Sequence, residues 1–155
     1  MPIPPLDANG FLPEGAHECT LEELEEQFGQ DQWVDNRLRQ CRSVLCASLK
    51  QYVAALRGTT LRVEEVLVDG SFTTGKPEPG DVDLIVVLPA DHDFSVDLRP
   101  FEYNLVSKKR VQKQGYPFDL FVVAAGSPKY HEALTLFRQV KNRAELTKGL
   151  LKVRP

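Results

Sequence analysis

The chain has 155 residues, the ordinary size of one domain and enough to bury a core, so a single fold is expected to hold the whole function. Its 42% hydrophobic and 26% charged residues and formal net charge of −3 are ordinary globular values, and they exclude a strongly basic nucleic-acid coat protein. Its three cysteines, Cys19, Cys41 and Cys46, form no C-x-x-C pair, which points to reduced thiols in a cytoplasmic protein rather than a disulfide framework or a zinc site.

Residues 1–19 read as an irregular arm, because Pro2, Pro4, Pro5 and Pro13 donate no backbone hydrogen bond and Gly10 and Gly15 permit turns. The arm has no apolar run of the kind a secretory signal needs. Nor does any stretch approach the roughly 20 apolar residues of a membrane span, so no membrane partner is expected. Thr20 and Glu23 have capping-box spacing and predict a short helix ended at Gly29. From Gln32 to about Leu56 the apolar residues Val34, Leu38, Cys41, Leu45, Leu49, Val53 and Leu56 recur in steps of three and four, which predicts one long amphipathic helix with Trp33 in the core.

"LRVEEVLVD" (61–69), "VDLIVVL" (82–88) and "FDLFVVAA" (118–125) read as strands, the second apolar on both faces. The basic stretch between the second and third strands, "RPFEYNLVSKKRVQKQG", reads as helix or bent strand. A helix is predicted from Tyr130 to about Arg143, and "GLLKVR" reads as a last strand. The whole is expected to be a small α+β sheet covered by helices mainly on one side.

Asp81 and Asp83 open the second strand. Residues two apart on a strand point to the same face, about 6.5–7 Å from one another, so these carboxylates aim at one spot while Val82 faces away. Ionised acids beside an apolar strand are costly unless something positive compensates them. A hard cation such as Mg²⁺, or Mn²⁺ in its place, does so and accepts substrate phosphates as further ligands. Asp119 sits in "PFDLFVV" among apolar neighbours and needs a partner too. If its strand lies beside that of Asp83, three carboxylates converge in the arrangement that two-metal phosphoryl transfer requires. Ahead of them, Gly70 lets the backbone approach a phosphate and Ser71 offers a hydroxyl and an N–H. Lys76, Lys108, Lys109 and Arg110 are the nearest cations for a triphosphate.

"DGSFTTGKPEPGDVDLIVVL" resembles the nucleotidyltransferase signature of the DNA polymerase β superfamily: Gly-Ser, here a spacer of nine residues from Phe72 to Gly80, then Asp-apolar-Asp-apolar. The superfamily's third carboxylate maps onto Asp119. The chain also resembles, through "FLPEGAHECTLEELEEQFG", "PFEYNLVSKKRV" and "KGLLKV", a family of small bacterial nucleotidyltransferase-like proteins without an assigned substrate. What the resemblance implies is a palm-like mixed sheet and an enzyme that uses Mg²⁺ to move a nucleotide from a nucleoside triphosphate. The acceptor is a hydroxyl on tRNA or another RNA, on a protein, or on a small molecule, since relatives of this size include drug-modifying adenylyltransferases and partners in toxin–antitoxin pairs. Asp69 departs from the pattern, where the superfamily prefers an apolar residue, and is a fourth ligand, a base or a cap for the turn.

Each residue also has a structural reading. Gly70-Ser71 is then a plain turn, Asp83 a solvated strand edge, and Asp119 half of an ion pair with Arg110 or Lys113. Lys108 to Arg110 form a solvated face, and Asp91-His92-Asp93 a loop turn. Two other functions share the residues: a non-catalytic toxin–antitoxin partner, and a metal-dependent phosphodiesterase, against which the Gly-Ser turn speaks. For an RNA acceptor the only basic clusters are Lys108 to Lys113 and Lys148, Lys152 and Arg154.

Overall fold

The computed structural model describes residues 3–140 and 142–155, so that Met1, Pro2 and Lys141 lie outside the described residues. The predicted arm gains a strand: Ala16–Cys19 (β1) pairs in parallel with Leu150–Val153 (β7) at the sheet edge, while Ile3 and Leu12 from the rest of the arm are buried. Prolines stop at Pro13, and the Ala16–Cys19 stretch keeps every backbone donor for that pairing. Thr20 then caps Leu21–Phe28 (α1): its Oγ1 accepts from Glu23 N at 3.1 Å, while Thr20 N donates to Glu23 Oε1 at 3.3 Å.

The long helix predicted from Gln32 is corrected. Gln32–Val34 (β2) and Arg37–Arg39 (β3) form a hairpin, and the helix begins only at Arg42, running to Arg57 (α2). Asp35 and Asn36 take φ of 52° and 63°, a left-handed pair that suits a two-residue hairpin turn and that no right-handed helix passes through. Trp33 stands opposite Leu38 on the hairpin and is 72% exposed, so it is no core residue.

Among the described residues, the main sheet has the order β1-β7-β4-β5-β6, with Glu65–Asp69 as β4, Val82–Leu88 as β5 and Phe118–Ala124 as β6. It is mixed: β4 is antiparallel to β5 and β7, while β5 and β6 are parallel, as the intervening helices Pro100–Val106 (α3) and Lys108–Lys113 (α4) allow by crossing over between them. The basic stretch that sequence left between helix and bent strand is therefore helical.

The strands separate two cores. Val66, Val68, Leu84 and Val86 pack with Leu24 of α1, Leu49 of α2, Leu105 of α3 and Val111 of α4. Leu67, Ile85, Val87 and Val123 face the other way, against Ala133 and Phe137 of Pro128–Arg138 (α5). That last helix starts two residues earlier and stops sooner than its periodicity suggests. Ser127 Oγ accepts from Tyr130 N at 3.2 Å, Pro128 occupies the first turn, and Gln139 leaves the helix to bridge Thr147. The architecture is α+β, with four helices on one face of a mixed sheet and α5 on the other. No described helix is long and apolar enough to cross a membrane.

Candidate functional site

The strand register carries the acids into one line. Asp69, the last residue of β4, stands opposite Asp83 of β5, and Asp83 stands opposite Asp119 of β6. Adjacent strands lie about 4.8 Å apart, and directly paired residues share a face, so three carboxylates form a row across the sheet. They lie on the α5 face, because Ile85 and Val87 alternate with Leu84 and Val86. Phe118 points into the opposite core, 5.2 Å ring to ring from Tyr52, and so turns its neighbour Asp119 toward the row. Asp81, just before β5, is exposed.

Burial decides the electrostatics. Asp69 is only 1% exposed; desolvation pushes its carboxyl up to about 7, against the pull of Lys148 and of the Gly70 N–H. Asp83 is pushed up to about 6, first by burial and then by the charges of Asp81 and Asp119, with Lys148 and Lys108 acting the other way. Lys148 Nζ lies 3.4 Å from Asp69 Oδ2 and Lys108 Nζ 2.7 Å from Asp119 Oδ1. Asp119 Oδ1 is itself shut off from solvent, and the Lys108 ammonium is its close partner. The structural alternative for Asp119 thus materialises with Lys108, rather than with Arg110 or Lys113.

The Gly70-Ser71 turn abuts the row. Gly70 has φ 86°, and a Cβ on it would come within 2.9 Å of Asp83 Oδ2, so only glycine fits between β4 and the Asp83 carboxylate. A single turn of 3-10 helix follows at Ser71–Thr73, closed by Thr73 N to Gly70 O and Thr74 N to Ser71 O, both 3.3 Å. Buried Thr73 also sets its hydroxyl 3.4 Å from Asp69 Oδ1.

Arg42 holds this loop and was invisible as a site residue in the sequence. Its guanidinium, buried at the start of α2, donates to the carbonyls of Phe28 (3.2 Å), Phe72 (2.7 Å) and Thr74 (2.7 Å), and to that of Lys76. One cation thereby shapes the segment between the Gly-Ser turn and the acids. The available signal was an arginine three residues before Leu45, on the apolar stripe of α2.

The remaining basic residues disperse. Lys76 is exposed on the loop, and Lys109 is exposed on α4. Arg110 turns to the Tyr103 ring, 5.1 Å from its centroid, and to Asn104 Oδ1 at 3.3 Å, not to the row. Lys152 pairs with Glu65 at 3.4 Å and Arg154 with Glu18 at 2.6 Å, so the C-terminal cluster with Lys148 is taken up in ion pairs. Asp93 accepts from Ser95 Oγ at 2.6 Å, which makes Asp91-His92-Asp93 a loop turn.

Chemically, the row is a line of carboxylates across the sheet, with Asp69 and Asp83 held back from solvent. Among the described residues no three His, Cys, Asp or Glu side chains are drawn together as a ready-made metal cage, and the two lysines are the row's present counter-ions. No curated protein and no solved structure matches the chain. A family model matches residues 4–154, and by it the chain belongs to a family of unknown function (DUF6932).

Proposed function

We propose that the protein is a Mg²⁺-dependent nucleotidyltransferase with a palm-like sheet, moving a nucleotide from a nucleoside triphosphate to an acceptor hydroxyl on RNA, protein or a small molecule. The observation that carries the reading is the in-register row Asp69, Asp83 and Asp119, with the Gly70-Ser71 turn pressed against Asp83. The donor set is one of hard carboxylate oxygens: Asp81, Asp83 and Asp119 would hold a divalent ion once Lys108 leaves Asp119 Oδ1. When bound, the ion neutralises charge on the triphosphate and on the departing pyrophosphate.

The chain's own groups do the rest. Gly70 and Ser71 bring backbone and hydroxyl to the phosphates, held in place by Arg42. Lys108, half-exposed, swings from Asp119 to the phosphates and frees that carboxylate to take the acceptor's proton. The acceptor oxygen then bonds to the α-phosphorus as the bond to the bridging oxygen breaks and pyrophosphate leaves, with most of the rate due to positioning. Three free cysteines fit a reducing, cytoplasmic setting.

A non-catalytic relative is the second reading, favoured by one observation: Lys108 and Lys148 already sit on the acids. Label transfer decides between them. With each α-³²P nucleoside triphosphate and Mg²⁺, wild type should label RNA, protein or a small-molecule fraction from a lysate, and Asp83→Asn should label none. Nucleotide binding without transfer to any fraction would support the non-catalytic partner.

A further inference from the structure

Positive charge gathers on one strip of a chain whose net charge is negative. No carboxylate stands between Glu102 and Asp119, and within that stretch the six residues of α4 carry Lys108, Lys109, Arg110 and Lys113. Elsewhere exposed cations meet acids, Arg39 at Glu78, Lys50 at Glu25 and Arg154 at Glu18. Lys109 and Lys113 are exposed and have no carboxylate partner among the described residues. Four positions apart, they stand one helical turn from each other on the same face, while Val111 is buried in the core. Arg110 is fixed beside them: its guanidinium lies 5.1 Å from the centroid of the Tyr103 ring and donates to Asn104 Oδ1 at 3.3 Å. Gln114 Nε2 ties the two helices, donating to Asn104 O at 2.7 Å and to Arg110 O at 2.9 Å, and Tyr103 itself is 44% exposed. The strip adjoins the carboxylate row. Lys108, the first residue of α4, reaches Asp119 at 2.7 Å and passes 5.8 Å from the Phe121 ring centroid, so α4 lies beside the acids at the β6 edge of the sheet.

We propose that α4 and Tyr103 form the docking surface for a single-stranded nucleic acid, with its phosphates on Lys109, Arg110 and Lys113 and a base against the Tyr103–Arg110 pair, so that its terminal hydroxyl is the acceptor at the row. The delivery of that hydroxyl rests on the transferase reading and selects one of its three acceptor classes; the docking surface stands on the strip alone. Charge complementarity argues for a polyanion, because cations without acids of their own are free to neutralise phosphates and release the counter-ions held there. The aromatic narrows the class. An exposed ring with a guanidinium held over it is a stacking surface, and an unpaired base offers a π face to it whatever its sequence. An acidic peptide would use the lysines and leave that surface idle, and a duplex keeps its base faces stacked inside.

The test is binding of fluorescein-labelled oligo-U to the full chain, by fluorescence anisotropy, without divalent ions and over a range of NaCl concentrations. Wild type should bind, with affinity falling as salt rises. Lys109→Ala/Lys113→Ala should bind about tenfold or more weakly and flatten the log–log salt slope by about 1.4, which is two phosphate contacts at about 0.7 each. Tyr103→Ala should bind about fivefold or more weakly at an unchanged slope. Lys50→Ala/Arg154→Ala removes the same charge from other parts of the surface and should bind as wild type does. No binding by wild type, equal affinities for the two double variants, or an unaffected Tyr103→Ala would overturn the docking surface, and so would polyglutamate or an RNA duplex that competes as well as unlabelled oligo-U. These outcomes leave the acids untouched. Label transferred from a nucleoside triphosphate only to protein or a small molecule would keep the transferase and overturn the nucleic-acid acceptor, whereas oligo-U bound through α4 with no label on any fraction would keep the surface and remove the transferase.

Discussion

Asp83→Asn is the substitution whose effect on stability the geometry specifies most fully. In the folded protein the Asp83 carboxyl is shifted from 3.8 to about 6, mainly by burial and then by Asp81 and Asp119. That displacement corresponds to about 3 kcal/mol, and partial solvent contact at Asp83 reduces this to roughly 1–2 kcal/mol. The sign follows from linkage. The folded protein holds this proton more tightly than the unfolded chain does, so the favourable contribution is full below pH 4 and is lost as pH rises through about 6. Asp69, shifted to about 7, extends the decline upward. In urea denaturation without divalent ions, wild type should therefore lose stability between pH 5 and pH 8. Asparagine keeps the shape and drops the charge, so Asp83→Asn should be more stable than wild type at pH 8 by about 1–2 kcal/mol, with the difference vanishing near pH 4. A variant less stable than wild type at pH 8 would refute the picture of a crowded, desolvated carboxylate.

Gly70→Ala should cost about 1–3 kcal/mol for a backbone at φ 86° and ψ −167°, a region open essentially only to glycine, and more for the 2.9 Å approach to Asp83 Oδ2; unfolding curves matching wild type would contradict that packing. Arg42→Met strips partners from buried carbonyls at about 1–3 kcal/mol each, less the relief of a buried charge, for a net loss of about 2–4 kcal/mol. Hydrogen exchange should also quicken across residues 71–80, and unchanged exchange there would show that the arginine does not hold the loop. Trp33→Ser should change stability by no more than about 0.5 kcal/mol, since the indole is 72% exposed; a loss of core size would restore it to the interior.

What the sequence made legible tracks how local the signal is. The Thr20 capping box needs four residues and predicted α1 in full. The apolar runs at 82–88 and 118–125 predicted strands, the latter one residue longer than β6, and the type of neighbour around Asp119 marked it for a partner. The helix drawn through 32–41 failed because Leu38 and Cys41 continue a 3.6-residue period by chance, whereas Asp35-Asn36 is a stronger, shorter signal for a turn. That Asp69, Asp83 and Asp119 share one row depends on strand order and register, which no spacing along the chain encodes. Lys148 reaches Asp69 from 79 positions away in the printed sequence, and a basic residue near Lys152 and Arg154 reads as part of a surface cluster until the fold separates them. Arg42 was hidden for the converse reason: a charge on an apolar helical stripe looks like an interruption until its backbone acceptors are in place.

The most direct test of the central claim, that the Asp81, Asp83 and Asp119 carboxylates form a divalent-cation site, is thermal unfolding at pH 8 with and without millimolar Mg²⁺ or Mn²⁺, on wild type and Asp83→Asn. An ion that binds only the folded protein raises its stability by mass action, by about 2.7 kcal/mol at a concentration of 100 Kd. The account predicts a rise in Tm for wild type, steeper for Mn²⁺ or Mg²⁺ than for an equal ionic strength of NaCl, and no such rise for Asp83→Asn. Equal shifts in both proteins, or none in wild type, would contradict it.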